Sequence, residues 1–118
     1  MIEDNESNAY LARLLLERRG HEVAVAPTGA EGVALACTSR YDLILLDLRL
    51  PDGDGCEFVR GFVQSGVSES TPIVAVSAHA LAADHARAIE VGCDAFIEKP
   101  IDVATFTDRI EEIVGVRN

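Results

Sequence analysis

The sequence predicts an α/β fold in which helices cover both faces of a parallel sheet. Two apolar runs, at residues 42–47 and 72–77, lack the alternation of a half-exposed strand and are typical of strands buried on both faces. Other strand-like segments are separated from them by helical patterns of about 10 to 15 residues. Strands that alternate with helices in this way need right-handed crossovers, which place the helices against the sheet.

In the N-terminal half, the spacing of leucines predicts a helix over residues 7–19 that ends before Gly20. Residues 21–26 alternate polar and apolar side chains and are predicted to form a strand. Thr28 begins a capping-box pattern, which predicts a second helix as far as Ser39. Since few residues precede the acidic start of the first helix, the first strand is either unusually short or has lost its beginning.

In the C-terminal half, Asp54 begins a second capping-box pattern, followed by apolar residues at helical spacing. An alanine-rich helix is predicted over residues 81–91 and a short strand over residues 95–98. Asp102 can cap a last helix. The polar stretch at residues 64–72 is too short to be a linker between domains.

Composition restricts the range of functions. The 118 residues fit one domain, which we predict to span residues 1–118. Ten Lys and Arg against twenty Asp and Glu give a net charge of −10, which argues against a surface for nucleic acid or an anionic membrane. Neither a membrane span nor a secretion signal is recognisable. Cys37, Cys56 and Cys93 share no metal-ligand spacing, so we interpret them as free thiols of a cytoplasmic protein.

Charged and hydroxyl side chains fall where the predicted strands end. In chain order they are Glu3, Asp4, Asp47, Ser77 and Lys99. The carboxyl ends of parallel strands share one edge of the sheet, where ligands of such folds bind. Three carboxylates at one edge repel one another and need a cation, and Mg²⁺ suits oxygen ligands beside a phosphoryl group. With an ammonium and a hydroxyl nearby, this pattern indicates phosphoryl transfer.

Four short motifs at these strand ends resemble those of the receiver domains of two-component response regulators. The motifs are Ile2-Glu3-Asp4-Asn5, Asp47-Leu48-Arg49-Leu50-Pro51-Asp52-Gly53-Asp54-Gly55, Ser77-Ala78-His79 and Phe96-Ile97-Glu98-Lys99-Pro100. Each is weak alone, but all four occur in order, and the resemblance covers nearly the whole chain. It implies a flavodoxin-like, doubly wound sheet of five parallel strands in the order 2-1-3-4-5, flanked by five helices, with a shortened first strand.

The resemblance also implies roles for the site residues. Asp47 is expected to be the phosphoacceptor, with Ser77 and Lys99 contacting the phosphoryl oxygens. Four ligands to Mg²⁺ are implied, namely Glu3, Asp4, Asp47 and the backbone carbonyl of Arg49. Phe96 is expected to be an aromatic switch that moves with Ser77 on phosphorylation, and the Lys99–Pro100 bond is expected to be cis.

The resemblance further implies how the domain signals. The expected phosphoryl donor is a sensor histidine kinase or a histidine phosphotransfer protein. The expected output is a downstream protein target at the face formed by the fourth helix, the fifth strand and the fifth helix. No enzymatic activity is expected beyond phosphorylation and dephosphorylation of the domain itself. The sequence leaves two questions open. One is whether the domain forms a homodimer through that face. The other is whether it is a stand-alone protein or a module of a hybrid kinase or a longer regulator.

Other interpretations compete with this one. A pseudo-receiver that binds partners without phosphorylation would be favoured by loss of Asp47, Asp4 or Lys99, and all three are present. A flavin carrier would need a phosphate-binding loop where this chain is acidic. An aspartyl-phosphate hydrolase would need a second Asp at position 49, which is Arg.

Smaller features have simpler interpretations. The Asp-Gly-Asp-Gly run at residues 52–55 is interpreted as a tight turn and not as a calcium loop, because the other ligand positions of that loop are missing. His21, His79 and His85 are interpreted as solvated side chains. Glu3 stands where the family often has Asp, and Phe96 lacks the hydroxyl of the Tyr often found there.

Overall fold

The computed structural model describes residues 1–78 and 82–117. It confirms the predicted alternation of helices and strands. The elements in chain order are α1 (Glu6–Glu17), α2 (Gly29–Thr38), β1 (Ile44–Asp47), β2 (Arg49–Leu50), β3 (Gly53–Asp54), α3 (Gly55–Gln64), α4 (Val67–Ser70), β4 (Ile73–Ser77), α5 (Ala82–Val91), β5 (Ala95–Glu98) and α6 (Phe106–Arg117).

A parallel sheet of three strands, in the order β1-β4-β5, forms the centre of the fold. Ile44 lies opposite Ile73 in this sheet, and Val74 lies opposite Ala95. Every residue of β1 and β4 is buried, as their continuous apolar runs predict. The strands end together at one edge, which brings Asp47 and Ser77 close to the residues that follow β5.

The first two predicted strands are reduced to single bridges. Ile2 bridges Ala26 on one side and Leu46 on the other, in both cases in the parallel sense. The five segments therefore keep the order 2-1-3-4-5. Of residues 21–26, all of which the structure describes, Ala26 alone is bridged, so the predicted strand there is wrong. A strand can pair only as far as its neighbour extends, and the neighbour here is the short segment that ends at Glu3. The N–H of Glu3 donates to the carbonyl of Ala26 at 2.9 Å.

Helix starts follow the capping patterns of the sequence. The Thr28 hydroxyl accepts a hydrogen bond from the N–H of Glu31 at 3.2 Å, at the start of α2. The Asp54 carboxylate accepts from the N–H of Cys56 at 2.9 Å, at the start of α3. Both helices therefore begin within one residue of the predicted cap.

The C-terminal helices differ in detail from the prediction. Asp102 accepts from the N–H of Ala104 at 2.9 Å, and this stabilises a turn, so α6 begins later than expected, at Phe106. The helix predicted over residues 81–91 is α5, and Leu81 lies outside the described residues. A sixth helix, α4, forms within the polar stretch at residues 64–72. The Lys99–Pro100 bond is cis, as expected.

Apolar side chains fill both faces of the sheet, because successive strand residues point to opposite sides. One face carries Ile44, Leu46, Ile73, Ala75 and Phe96, against Val59 and Phe62 of α3. The other carries Leu45, Val74, Val76 and Ile97, against Leu15 of α1 and Phe106 and Ile110 of α6. In the described part of the chain, none of the helices has the length and apolar character of a membrane span.

Candidate functional site

The Asp47 carboxylate lies at the carboxyl end of β1 and is 7% exposed. Its Oδ2 accepts a hydrogen bond from Lys99 Nζ at 3.0 Å, and its Oδ1 accepts from the backbone N–H of Arg49 at 2.9 Å. Lys99 follows β5, two strands away from β1, and reaches back across the end of β4. The structure therefore brings together the predicted acceptor and the predicted lysine.

Lys99 also pairs with Glu3. Its Nζ donates to Glu3 Oε1 at 3.1 Å and to Oε2 at 2.9 Å, and the Glu3 side chain is only 1% exposed. Burial raises the pKa of Glu3; the hydrogen bond from Lys99 opposes this shift, and the charge of Asp47 adds to it. Burial alone would lower the pKa of Lys99, but its hydrogen bonds to the two carboxylates raise it on balance. The ammonium therefore stays charged at neutral pH.

Glu3, Asp4 and Asp47 form a cluster that could hold a metal ion. One carboxylate oxygen from each residue lies within 4.8 Å of the others. Glu3 and Asp47 are buried, whereas Asp4 is exposed, so the cluster opens to solvent on the Asp4 side. Because every donor is an oxygen, the set fits a small, hard cation such as Mg²⁺ and not a metal that prefers nitrogen or sulfur.

Ser77 lies at the end of β4 and is 2% exposed. Its backbone carbonyl accepts from the N–H of Lys99 at 2.9 Å, so these two predicted site residues are neighbours across the sheet. Phe96 is also buried, and its ring stacks on His85 of α5 with a centroid distance of 5.0 Å and an interplanar angle of 12°. Its carbonyl accepts from Arg109 of α6 at 3.2 Å. The predicted switch residue thus touches both helices that flank β5.

A cavity of about 380 Å³ opens beside the site, between the β2–β3 hairpin and α5. Ser77 and Arg49 lie in its wall together with Asp54 and Arg87. Arg87 Nη2 donates to Asp54 Oδ2 at 2.7 Å, so an ion pair ties α5 to the hairpin that follows Asp47.

Sequence reasoning missed several of these contacts. Asn8 donates to Glu3 Oε1 at 3.4 Å. Its position in the first turn of α1, close behind Glu3 in the chain, could have indicated this contact. His85 is exposed, as predicted, but its ring also stacks on Phe96, a contact that the sequence did not reveal. His21 is exposed and lies 3.6 Å from Glu111. His79 lies outside the described residues.

Comparison with known proteins identifies the family. A family model for the response regulator receiver domain matches residues 1–111. The chain belongs to this family. It is therefore a receiver domain of two-component signalling, and it is similar to the polar-differentiation response regulator DivK of Brucella anthropi. The two are 37% identical over 115 residues, which cover 98% of this chain and 94% of the relative.

Solved receiver domains have the same fold. The chemotaxis response regulator CheY4 of Vibrio cholerae is 25% identical with a TM-score of 0.88, over 95% of this chain and 93% of that one. The receiver domain of the sensor histidine kinase PA1611 of Pseudomonas aeruginosa is 30% identical with a TM-score of 0.85, over 97% and 93%. That structure has a magnesium ion coordinated in its active-site cleft. The flavodoxin-like α/β fold expected from the sequence is confirmed.

Proposed function

We propose that this receiver domain accepts a phosphoryl group on Asp47 from the phosphohistidine of a sensor kinase or histidine phosphotransfer protein. The position of the Asp47 carboxylate carries the proposal. It lies 3.0 Å from the Lys99 ammonium and belongs to the carboxylate cluster of Glu3 and Asp4. A carboxylate nucleophile between a fixed cation and metal-binding oxygens is suited to phosphoryl transfer, in which catalysis is mainly positioning and charge stabilisation.

In the proposed transfer, a carboxylate oxygen of Asp47 attacks the phosphorus atom. A P–O bond forms as the P–N bond to the donor histidine breaks, and the histidine nitrogen keeps the electron pair and takes up a proton from solvent. Lys99 stabilises the charge on one phosphoryl oxygen, and the hydroxyl of Ser77, at the next strand end, donates to another. Water later attacks the phosphorus: the P–O bond to Asp47 breaks, the carboxylate keeps the electron pair, and phosphate leaves as the water gives up a proton to solvent. We propose no other enzymatic activity.

The cluster of carboxylates would hold Mg²⁺ for this transfer. The proposed ligands are Glu3, Asp4, Asp47 and the backbone carbonyl of Arg49. When bound, Mg²⁺ neutralises charge on the transferring group. The all-oxygen donor set supports this choice of metal, as does the magnesium ion in the related PA1611 receiver domain.

The proposed output is a change at the face of α5, β5 and α6 that alters binding of a downstream protein, or of a second copy of the chain. Phe96 supports this proposal because its ring contacts α5 through His85 and its carbonyl contacts α6 through Arg109. A ring that moved when Ser77 engaged a phosphoryl oxygen would disturb both helices. The cytoplasmic location stays a prediction.

Intact-mass spectrometry tests the proposal. The wild type is incubated with Mg²⁺ and acetyl phosphate beside two variants, Asp47→Asn and Asp42→Asn. Asp42 is an exposed acid just before β1, at the other end of the strand from Asp47, so it serves as the matched control. We expect the wild type and Asp42→Asn to gain one phosphoryl group in the presence of Mg²⁺ and Asp47→Asn to gain none. A gain in Asp47→Asn equal to that of the wild type would contradict the assignment.

A further inference from the structure

The Asp-Gly-Asp-Gly run after the acceptor has no role in the proposed transfer, yet its first acid makes two close contacts. Asp52 accepts hydrogen bonds from the backbone N–H groups of Gly29 and Ala30, one on each carboxylate oxygen and both at 2.9 Å. These N–H groups belong to the first turn of α2, where they have no partner within the helix. A carboxylate from the acceptor loop thus caps a helix that lies more than twenty residues away in sequence.

The contact between the loop and α2 is a close-packed one. A Cβ atom added at Gly29 would lie 2.2 Å from the ring of Phe58, and one added at Gly53 would lie 3.4 Å from the same ring. The start of α2 and the tip of the β2–β3 hairpin therefore meet over one aromatic side chain of α3. Glycine at position 29 permits this approach, and the approach brings the helix N–H groups within reach of Asp52.

The hairpin connects this contact to the acceptor. Arg49 pairs with Asp54, and Leu50 pairs with Gly53, so Asp52 lies in the turn that joins the two short strands. The first residue of the hairpin, Arg49, donates its backbone N–H to Asp47 Oδ1 at 2.9 Å. One pair of strand residues, Leu50 and Gly53, therefore separates the turn from the backbone that contacts Asp47.

We propose that Asp52 is a positioning residue, which fixes the β2–β3 hairpin on α2 and so holds the backbone of Arg49 in place beside Asp47. The proposal rests on the proposed function in one respect, because that function makes the backbone carbonyl of Arg49 a metal ligand. Hydrogen bonds from Ala30 and Gly29 lower the pKa of Asp52, so the carboxylate is charged at neutral pH.

Calorimetric titration of the full chain with Mg²⁺ is the first test, with the wild type, Asp52→Ala and Thr28→Ala. Thr28 caps the same helix through Glu31, so its replacement weakens the start of α2 without touching the hairpin. We expect Asp52→Ala to weaken Mg²⁺ binding by about tenfold, the low end for residues that orient metal ligands. Thr28→Ala is expected to bind Mg²⁺ as the wild type does. Equal weakening in both variants would show that α2 stability alone matters, and would overturn the proposal.

Hydrogen exchange of the metal-free proteins is the second test. The backbone N–H groups of residues 49–54, apart from Pro51, which has none, are expected to exchange faster in Asp52→Ala than in the wild type, and at the wild-type rate in Thr28→Ala. Asp52→Asn keeps one acceptor oxygen and is expected to fall between the wild type and Asp52→Ala. It also provides the test if Asp52→Ala does not fold. Unchanged hairpin exchange in the Asp52 variant that folds would overturn the proposal.

The two tests separate this inference from the proposed function. Suppose that the wild type binds Mg²⁺ and is phosphorylated, and that the Asp52 variant behaves as the wild type does in both tests. This result overturns the positioning role alone. A wild type that neither binds Mg²⁺ nor accepts a phosphoryl group overturns the proposed function and with it the effect of Asp52 on the metal site. The exchange of residues 49–54 would then still decide whether Asp52 holds the hairpin.

Discussion

Lys99 and Glu3 form a largely buried ion pair in which one ammonium donates to both oxygens of one carboxylate, at 3.1 and 2.9 Å. The same ammonium donates to Asp47 at 3.0 Å. Two buried carboxylates thus share one positive charge, whereas Asp4 faces solvent. The longer side chain of Glu, at a position where the family often has Asp, is therefore accommodated by contact with the lysine.

Replacing Lys99 by Met should destabilise the metal-free protein. The variant leaves two buried carboxylates without their counter-charge, and breaking a buried pair costs about 3 kcal/mol or more. Urea unfolding at pH 7 measures the loss, and added Mg²⁺ should recover part of it. Arg60→Met is the control, because Arg60 and its partner Glu57 are both more than half exposed. Its effect should be below about 1 kcal/mol, and equal losses in the two variants would contradict the prediction.

Gly55→Ala should destabilise the domain and displace the acceptor loop. A Cβ atom there would lie 2.6 Å from the Cα of Leu48 and 2.7 Å from the carbonyl oxygen of Asp47, and both are backbone atoms that cannot move independently. We expect a loss of about 2 kcal/mol in urea unfolding. Gly61 lies in the same helix with no atom near its added Cβ, so Gly61→Ala should stabilise by about 1 kcal/mol. A stable Gly55→Ala would count against the close packing of this loop.

His85→Ala should loosen the ring of Phe96. The stack contributes about 1 kcal/mol beyond the area that it buries. Fluorine NMR of fluorophenylalanine-labelled protein should show a shifted or broadened Phe96 signal in the variant, whereas His85→Phe should restore it. His21→Ala removes an exposed histidine near Glu111 and is the control. An unchanged Phe96 signal in His85→Ala would show that the stack does not restrain the ring.

One of the three cysteines should react with iodoacetamide in the native protein. Cys37 is exposed on α2, whereas Cys56 and Cys93 are buried. Burial raises the pKa of Cys56, and it raises that of Cys93 to about 12, so at pH 8 both remain unreactive thiols. Mass spectrometry should find one modification per native chain and three after unfolding in urea. Modification of the native wild type at Cys93 would contradict the packing described.

The ion pair of Asp54 and Arg87 should make the free energy of unfolding depend on pH in the acidic range. Burial alone would raise the pKa of Asp54, but the N–H of Cys56 and the guanidinium of Arg87 lower it below its usual range on balance. The carboxylate therefore stabilises the fold above about pH 4, and this contribution is lost as the pH falls through the lowered pKa. The stability difference between the wild type and Asp54→Asn should shrink between pH 6 and pH 3 in urea unfolding. A constant difference would show that the charge of Asp54 does not matter.

The residues that end the buried strands could be predicted from sequence. Asp47 and Ser77 each close a continuous apolar run, and the parallel arrangement that such runs require places their ends at one edge. Lys99 follows the next strand for the same reason. The strand predicted over residues 21–26 could not be assessed in this way, because the length of such a strand depends on a neighbour that ends at Glu3.

The contacts that tie helices to the site could not be predicted from sequence. The contacts of Asp52 with Gly29 and of Arg87 with Asp54 depend on how α2 and α5 pack in the folded domain. Neither pair has a spacing that a helix or hairpin would impose, so no local pattern points to it. The stacking of His85 on Phe96 likewise depends on how α5 lies against β5.

Lys99 is the only lysine in the sequence, and its side chain is 12% exposed. Its ammonium stays protonated while both carboxylates hold it, and a protonated amine does not attack an acylating reagent. Succinimidyl esters should therefore modify this side chain only in molecules whose site has come apart. In a chain with no competing lysine, the rate of that acylation measures how often the site opens.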